Sequence, residues 1–153
     1  MSELSRERSK AHGTERASVL ALVPAGLLVL VLLAAIAVDS SIGYLGRREL
    51  AAAADAAAND AVTYGLDEAR FRETGEFALD PARAEEAVRR ALTARQSEVV
   101  DRAVLEVQTD ADAGSVTVTL RSSVELVFSP AVPGAPETMS VVAQATADVL
   151  VGD

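Results

Sequence analysis

The chain contains no cysteine and no tryptophan, and three Phe and two Tyr are its only aromatic residues. Without thiols, it can form neither disulfides nor thiolate metal sites. The single His, His12, and the single Lys, Lys10, both precede residue 17, so the rest of the chain has no imidazole base and no amine nucleophile. We therefore predict a protein that is not an enzyme, that needs no cofactor or metal, and for which the sequence identifies no small-molecule substrate.

Positive charge is scarce beyond the N-terminal segment. Residues 39–153 hold ten Arg and 20 acidic residues, a net charge of −10, whereas residues 1–16 carry a net charge of +1. Binding to nucleic acid depends on clustered Lys and Arg. The composition therefore argues against nucleic acid as a partner and favours proteins.

One long segment has no charge at all. Residues 17–38, from Ala17 to Val38, are 22 uncharged positions that include seven Leu, five Val and six Ala. As a helix they would extend about 33 Å, enough to cross the hydrocarbon core of a bilayer. The sequence thus predicts three parts: a tail (residues 1–16), a transmembrane helix (17–38) and a domain on one side of the membrane (39–153).

Basic residues on the two sides of this segment indicate its orientation. Four precede it (Arg6, Arg8, Lys10 and Arg16), and two follow it closely (Arg47 and Arg48). Since cytoplasmic flanks carry the excess of Lys and Arg, we predict a single-pass protein of the cytoplasmic membrane with a cytoplasmic tail and an extracytoplasmic domain. An alternative is a signal sequence. The triplet Ala35-Ile36-Ala37 has the form of a signal peptidase site, and cleavage after Ala37 would release a secreted binding module.

The following segment predicts two helices. Asp39 to Leu66 is Ala-rich and free of Pro, which indicates a helix that continues out of the membrane, with Gly43 and Gly46 as weak points where it could kink. A second helix is expected to begin at Asp80 as N-cap, followed by Pro81. Its glutamates and arginines pair at a spacing of four, which is typical of a solvated helix face.

From Ala103 onward, apolar residues alternate with polar ones at every second position. Three such runs, at about 103–108, 116–128 and 139–151, predict three half-buried strands. Asp110 to Gly114 suits a hairpin turn, and it lacks the last acidic ligand that a calcium loop would need. With a Pro-rich loop between the second and third strands, the pattern predicts an α+β fold in which helices cover an antiparallel three-stranded sheet.

Several of these residues resemble the N-terminal region of the TadE/TadG-like proteins of Flp-type (tight adherence) pilus assembly. The residues that carry the resemblance are Ser18-Val-Leu-Ala-Leu-Val-Pro24, Val38-Asp39, Tyr44, Arg47-Arg48, Leu50 and Ala54-Asp55-Ala-Ala-Ala58. It covers about residues 13–65, and the later strands and Pro-rich loop are similar in pattern. The resemblance implies a minor pilin, or pseudopilin, whose N-terminal anchor helix carries a small outward domain.

The resemblance also implies roles for particular residues. Pro24 would kink the helix, Asp39 would be the first polar group beyond the membrane, and Asp55 would be the acid within the Ala-rich stretch. A prepilin peptidase could cut after Gly13, although Ser18 stands where pilin-type substrates have Glu.

The expected partners are membrane lipid around the anchor, and other pilus or secretion-system proteins or further copies of the chain. Helix packing against these proteins would use small residues. We expect these to be Ala17, Ala21 and Ala25. A different hypothesis is a bitopic accessory or sensor protein whose outer domain binds a ligand or another envelope protein.

Overall fold

The computed structural model describes the backbone of residues 3–149 and the side chains of residues 22–149. The chain forms one long helix, α1 (Glu3–Tyr64), followed by three short helices and one antiparallel sheet. The later elements are α2 (Glu68–Thr74), α3 (Pro81–Thr93), α4 (Glu98–Asp101), β1 (Val104–Asp110), β2 (Ser115–Glu125), a 3₁₀ turn (Ser129–Ala131) and β3 (Thr138–Asp148). The predicted α+β class, with a long N-terminal apolar helix and a three-stranded sheet, is confirmed.

The two halves of α1 have different surroundings. From Leu22 to Val38 every side chain is exposed except that of Ala35, which is half-buried, and the Leu, Val and Ile side chains are 42–72% exposed. Beyond Asp39 one face of the same helix lies in the core, with the fully buried residues Leu50, Ala54, Ala57 and Ala61. These follow one another at intervals of three and four residues, so they form a single stripe along the helix.

The sheet supplies the other side of the core. Its strand order is β1-β2-β3, and Val116, Val118 and Leu120 of the central strand β2 are completely buried. From β3, the small residues Ala143 and Ala145 are also buried in the same cluster. Because Ala lines both α1 and β3, the helix backbone can approach the sheet closely, and the core is made mainly of Ala, Val and Leu.

Gly43 and Gly46 lie on this packed face of α1, and the helix runs through both without interruption. A Cβ atom built on Gly43 would lie 2.5 Å from Met139 Sδ, and one on Gly46 would lie 2.6 Å from Val124 Cγ1. The two glycines, expected as weak points where the helix could kink, do not interrupt it. Their absent side chains instead make room for the sheet.

The second predicted helix corresponds to α3. The Asp80 carboxylate accepts hydrogen bonds from the backbone N–H groups of Ala82 (2.9 Å) and Arg83 (3.3 Å), so the predicted N-cap is confirmed. On the solvated face, Glu85 pairs with Arg89 and Glu86 pairs with Arg90, at 2.7 and 3.4 Å.

The helices α2 and α4 were not predicted. The signals for α2 are Asp67, whose carboxylate accepts from the N–H groups of Ala69 and Arg70, and Gly75, which ends the helix with φ +76°. Both signals are short-range and readable in a sequence. Helix α4 is a single turn with no side-chain hydrogen bond at its N-cap Ser97, so it leaves little trace in the sequence.

The topology gives the domain two ends. At the end near the exposed half of α1, which we call the proximal end, Gly43 lies beside Met139 at the start of β3, and Gly46 lies beside Val124 at the end of β2. The turn that joins β1 to β2, residues 111–114, lies at the distal end. The ten steps from Ser115 to Glu125 separate the two ends by about 34 Å. The loop between β2 and β3 therefore returns to the point where α1 leaves its exposed half.

Candidate functional site

The described side chains show no arrangement suited to metal chemistry: among residues 22–149 no group of three His, Asp or Glu side chains could hold an ion. The Asp110 carboxylate, which begins the segment compared above with a calcium loop, is engaged locally. It accepts hydrogen bonds from the N–H groups of Asp112 (3.2 Å) and Ala113 (2.9 Å), and Gly114 adopts φ +67°. These contacts shape a turn that connects two antiparallel strands.

The most distinctive polar contact lies at the proximal end and involves Asp39. In the described part of the chain it is the one charged residue that is buried, with 9% of its surface exposed. Its Oδ1 atom accepts hydrogen bonds from the N–H groups of Val127 (2.9 Å) and Phe128 (3.1 Å), and its Oδ2 atom accepts from Ser129 N–H (2.8 Å). Asp39 therefore ties the end of the exposed half of α1 to the loop after β2.

Two opposing effects act on the pKa of Asp39. Burial raises it by removing water from the carboxylate, whereas the hydrogen bonds from Phe128, Val127 and Ser129 stabilise the charged form. The hydrogen bonds outweigh the burial, and the pKa lies below its ordinary value of 3.8. Asp39 is thus ionised at neutral pH, where it holds three backbone donors at once.

The loop held by Asp39, which we call the proximal loop, comprises residues 126–136. Its sequence, Leu-Val-Phe-Ser-Pro-Ala-Val-Pro-Gly-Ala-Pro, has no charge and is bounded by Glu125 and Glu137. Val127, Phe128 and Val132 are 62%, 43% and 52% exposed. The loop is therefore an apolar surface at one end of an acidic domain.

An apolar cleft lies between the proximal loop and the exposed half of α1. Leu32 and Ile36 line it from the helix, and Phe128, Val132 and Pro136 line it from the loop. Asp39 lies at the same cleft. The loop thus reaches past Asp39 and along the last two turns of the apolar segment.

The positions singled out by the family resemblance do not converge on one site. Asp39 and Leu50 are buried, at the proximal loop and in the core respectively, whereas Pro24, Tyr44, Arg47 and Asp55 are exposed along α1. Ala25 is also exposed. Ala17 and Ala21 precede the residues whose side chains are described, so the packing expected of them lies outside the described part of the chain.

Sequence reasoning identified Asp39 but missed its partners. The alternating pattern placed Val127 and Phe128 at the end of the second strand, whereas β2 ends at Glu125 and both residues belong to the proximal loop. One available signal was the uncharged run between Glu125 and Glu137, which is unusual in a domain with a net charge of −10. The hydrogen-bond partners themselves are backbone N–H groups, which every sequence contains, and they could not be recognised from residue type.

The fold and this junction define a class: a small α+β domain built around the distal half of a helix whose other half is long and apolar enough to span a membrane. A signal sequence would meet the same criteria of length and composition. Comparisons of the chain with protein families, with curated protein sequences and with solved structures find no match.

The Asp39 contacts predict a local response to substitution. In Asp39→Ala the N–H groups of Val127, Phe128 and Ser129 lose their acceptor, so we expect their amide hydrogen exchange to accelerate towards that of an exposed loop. Hydrogen exchange followed by mass spectrometry of a peptide covering the proximal loop measures this. The matched control is Asp55→Ala, since Asp55 is an exposed acid on the same helix. Equal exchange in both variants would contradict the role assigned to Asp39.

The same contacts predict a dependence on pH. Because the pKa of Asp39 is lowered in the folded protein, its ionised form contributes stability above the unfolded-state pKa, near 3.8, and that contribution is lost as the pH falls through the lower folded-state value. Protection of the three amides, corrected for intrinsic exchange, should therefore be constant from pH 7 to 5 and should decrease below pH 3.8. A decrease centred above pH 5 would contradict this assignment.

Proposed function

We propose that the chain is a single-pass protein of the cytoplasmic membrane that acts without catalysis, as a minor pilin (pseudopilin) or assembly component of a Flp-type (Tad) pilus system. The tail lies in the cytoplasm and the α+β domain lies outside. The observation that carries this proposal is the exposure of α1 from Leu22 to Val38, where large apolar side chains point outward on all sides of the helix. In water such a surface is strongly unfavourable, because each large side chain gains about 1.5–3 kcal/mol on burial.

The junction favours a retained anchor over a cleaved signal sequence. Cleavage after Ala37 would place a new, charged amino terminus one residue before Asp39, whose carboxylate holds the proximal loop. It would also remove Leu32 and Ile36 from the cleft against which the loop packs. Because the last turns of the apolar segment pack against the domain, their removal would take away contacts that the folded domain uses.

The continuity of α1 supports a role in assembly. Since one helix forms both the apolar segment and the centre of the core, lateral packing of the anchor against a neighbour would also orient the domain. Lipid provides no hydrophobic drive between helices, so association depends on close contact through small residues. Ala25, one of the residues expected to pack, has an exposed side chain that is open to such a contact.

Membrane insertion and orientation can be tested with single cysteines, because the chain has none of its own. After carbonate washing of membranes, the intact chain should stay in the pellet. In whole spheroplasts, an impermeant maleimide should label Ala111→Cys in the distal turn and should label Ala11→Cys only after permeabilisation. Release of the intact chain by carbonate, or the reverse labelling pattern, would refute the proposed topology.

Assembly through the anchor requires a separate experiment. In native membranes, Ala25→Cys should give cross-linked products with a bifunctional maleimide, whereas Leu27→Cys, about 200° around the helix, should give few. The products should contain further copies of the chain or pilus components, and the protein should co-purify with a secretion-type ATPase and a polytopic platform protein. A chain that purifies alone and cross-links equally at both positions would instead support an accessory or sensor protein.

A further inference from the structure

We propose that the proximal loop is a second membrane contact, seated in the interfacial layer of the leaflet from which α1 emerges. This inference rests on the proposed anchoring of α1, and it goes further by assigning a lipid-binding role to residues 126–136. The partner is the headgroup and upper acyl region of a bilayer, and the contact is made by apolar side chains.

The loop lies beside the end of the apolar half of α1. The loop and the helix share a cleft lined by Leu32 and Ile36, which precede Asp39 by seven and three residues. At the helical rise of about 1.5 Å per residue, those positions lie about 4 to 11 Å below Asp39 along the helix axis. Surface-bound apolar segments enter the boundary between headgroups and acyl chains to a depth of about 5–10 Å. A bilayer that surrounds Leu32 and Ile36 therefore also meets the loop.

The chemistry of the loop fits that environment. Val127, Phe128 and Val132 present exposed apolar side chains, and no charged residue occurs between Glu125 and Glu137. The distal turn, in contrast, contains Asp112 and follows Asp110 directly. Apolar exposure without charge at the end next to the anchor, in a domain that is otherwise acidic, is what contact with lipid requires.

The backbone of the loop is also prepared for a medium poor in water, where each unsatisfied N–H group is costly. Three of its eleven residues are proline and have no N–H, and three donate to the Asp39 carboxylate. Leu126, Ala131, Val132 and Ala135 donate to backbone carbonyls at 2.9–3.0 Å. Within this described loop only Gly134 N–H has no protein acceptor.

The physical consequence is attachment at two points. A helix alone leaves a domain free to tilt around the point where it leaves the membrane, whereas a loop in the interface beside it limits that tilt. Asp39 connects the two contacts, because its carboxylate belongs to α1 and its donors belong to the loop. The domain would then be held in a defined orientation relative to the membrane surface.

The test uses the full-length chain in phosphatidylcholine vesicles, labelled at single cysteines with an environment-sensitive fluorophore. Val132→Cys and, independently, Val127→Cys should show blue-shifted emission and quenching by lipids that carry a spin label on the upper acyl chain. Ala111→Cys in the distal turn is the matched control and should show neither effect. Leu30→Cys, within the apolar half of α1, reports on the anchor.

Each outcome has a distinct meaning. If Leu30→Cys is quenched by spin-labelled lipid and both loop positions resemble Ala111→Cys, the loop contact is refuted and the anchor remains. If the loop positions are blue-shifted but not quenched, they contact protein, such as a second copy, and the lipid contact is equally refuted. If Leu30→Cys is quenched neither by these lipids nor by lipids that carry the spin label near the end of the acyl chain, the anchoring fails, and the inference fails with it.

Discussion

Replacing Leu50 with Ala is expected to lower the free energy of unfolding of the domain by about 2–5 kcal/mol. Leu50 is completely buried and is among the largest fully buried side chains of the described chain. The residues that share its stripe on α1 are alanines, whose side chains cannot change rotamer to fill the space that Leu50 would leave. We therefore expect a cavity that relaxes little and a cost towards the upper part of this range.

Urea unfolding of the full chain in detergent micelles, followed by circular dichroism, measures this effect. The matched control is Leu45→Ala, because Leu45 lies on the same helix but is 60% exposed. Its effect should remain within about 0.5 kcal/mol. If both variants lose the same stability, α1 does not pack against the sheet as described.

Replacing Gly46 with Ala is expected to destabilise the domain by about 1–3 kcal/mol, although Ala is the better helix former. The new Cβ would lie 2.6 Å from Cγ1 of Val124. Val124 is β-branched and sits in a strand paired with Met139, so neither its side chain nor its backbone can move away easily. The helix and the sheet must therefore separate locally.

Gly43→Ala provides a comparison at the same interface. Its Cβ would meet Met139 Sδ at 2.5 Å, but the unbranched Met side chain can adopt another rotamer. The gain in helix propensity, up to about 1 kcal/mol, should offset that small rearrangement. We expect Gly43→Ala to leave the unfolding midpoint nearly unchanged while Gly46→Ala lowers it. A larger loss of stability for Gly43→Ala than for Gly46→Ala would contradict the conclusion that Gly46 makes the less adaptable contact with the sheet.

Much of the architecture could be predicted because its signals are local. Asp80 and Pro81 predict the start of α3, because Asp80 can cap the free N–H groups of its first turn. The alternation of apolar residues predicts three strands. The 22 uncharged residues before Asp39 are enough to predict a helix that could span a membrane. Helix α2 was missed even though Asp67 and Gly75 mark its ends, because only seven residues lie between them.

The meaning of individual residues on α1 was harder to predict. Leu50 was singled out only as a position of the family pattern. The structure places it in the core, where a large apolar side chain is fully buried. Gly43 and Gly46 suggested a kink because glycine weakens a helix in isolation. Their actual environment is a sheet that approaches closely, and helix propensity contains no information about what lies across an interface.

Residue order by itself determined the long apolar helix, the α+β class, the strand number and the acidic character of the domain. These properties arise from the period and sign of neighbouring side chains, which act over a few residues. Only the tertiary structure decided that Asp39 binds Val127, Phe128 and Ser129, residues that lie 88–90 positions away in the chain. That contact depends on where the end of β2 lies along α1, and packing across the whole core sets this position. Its donors are backbone N–H groups, which a sequence does not distinguish from one another.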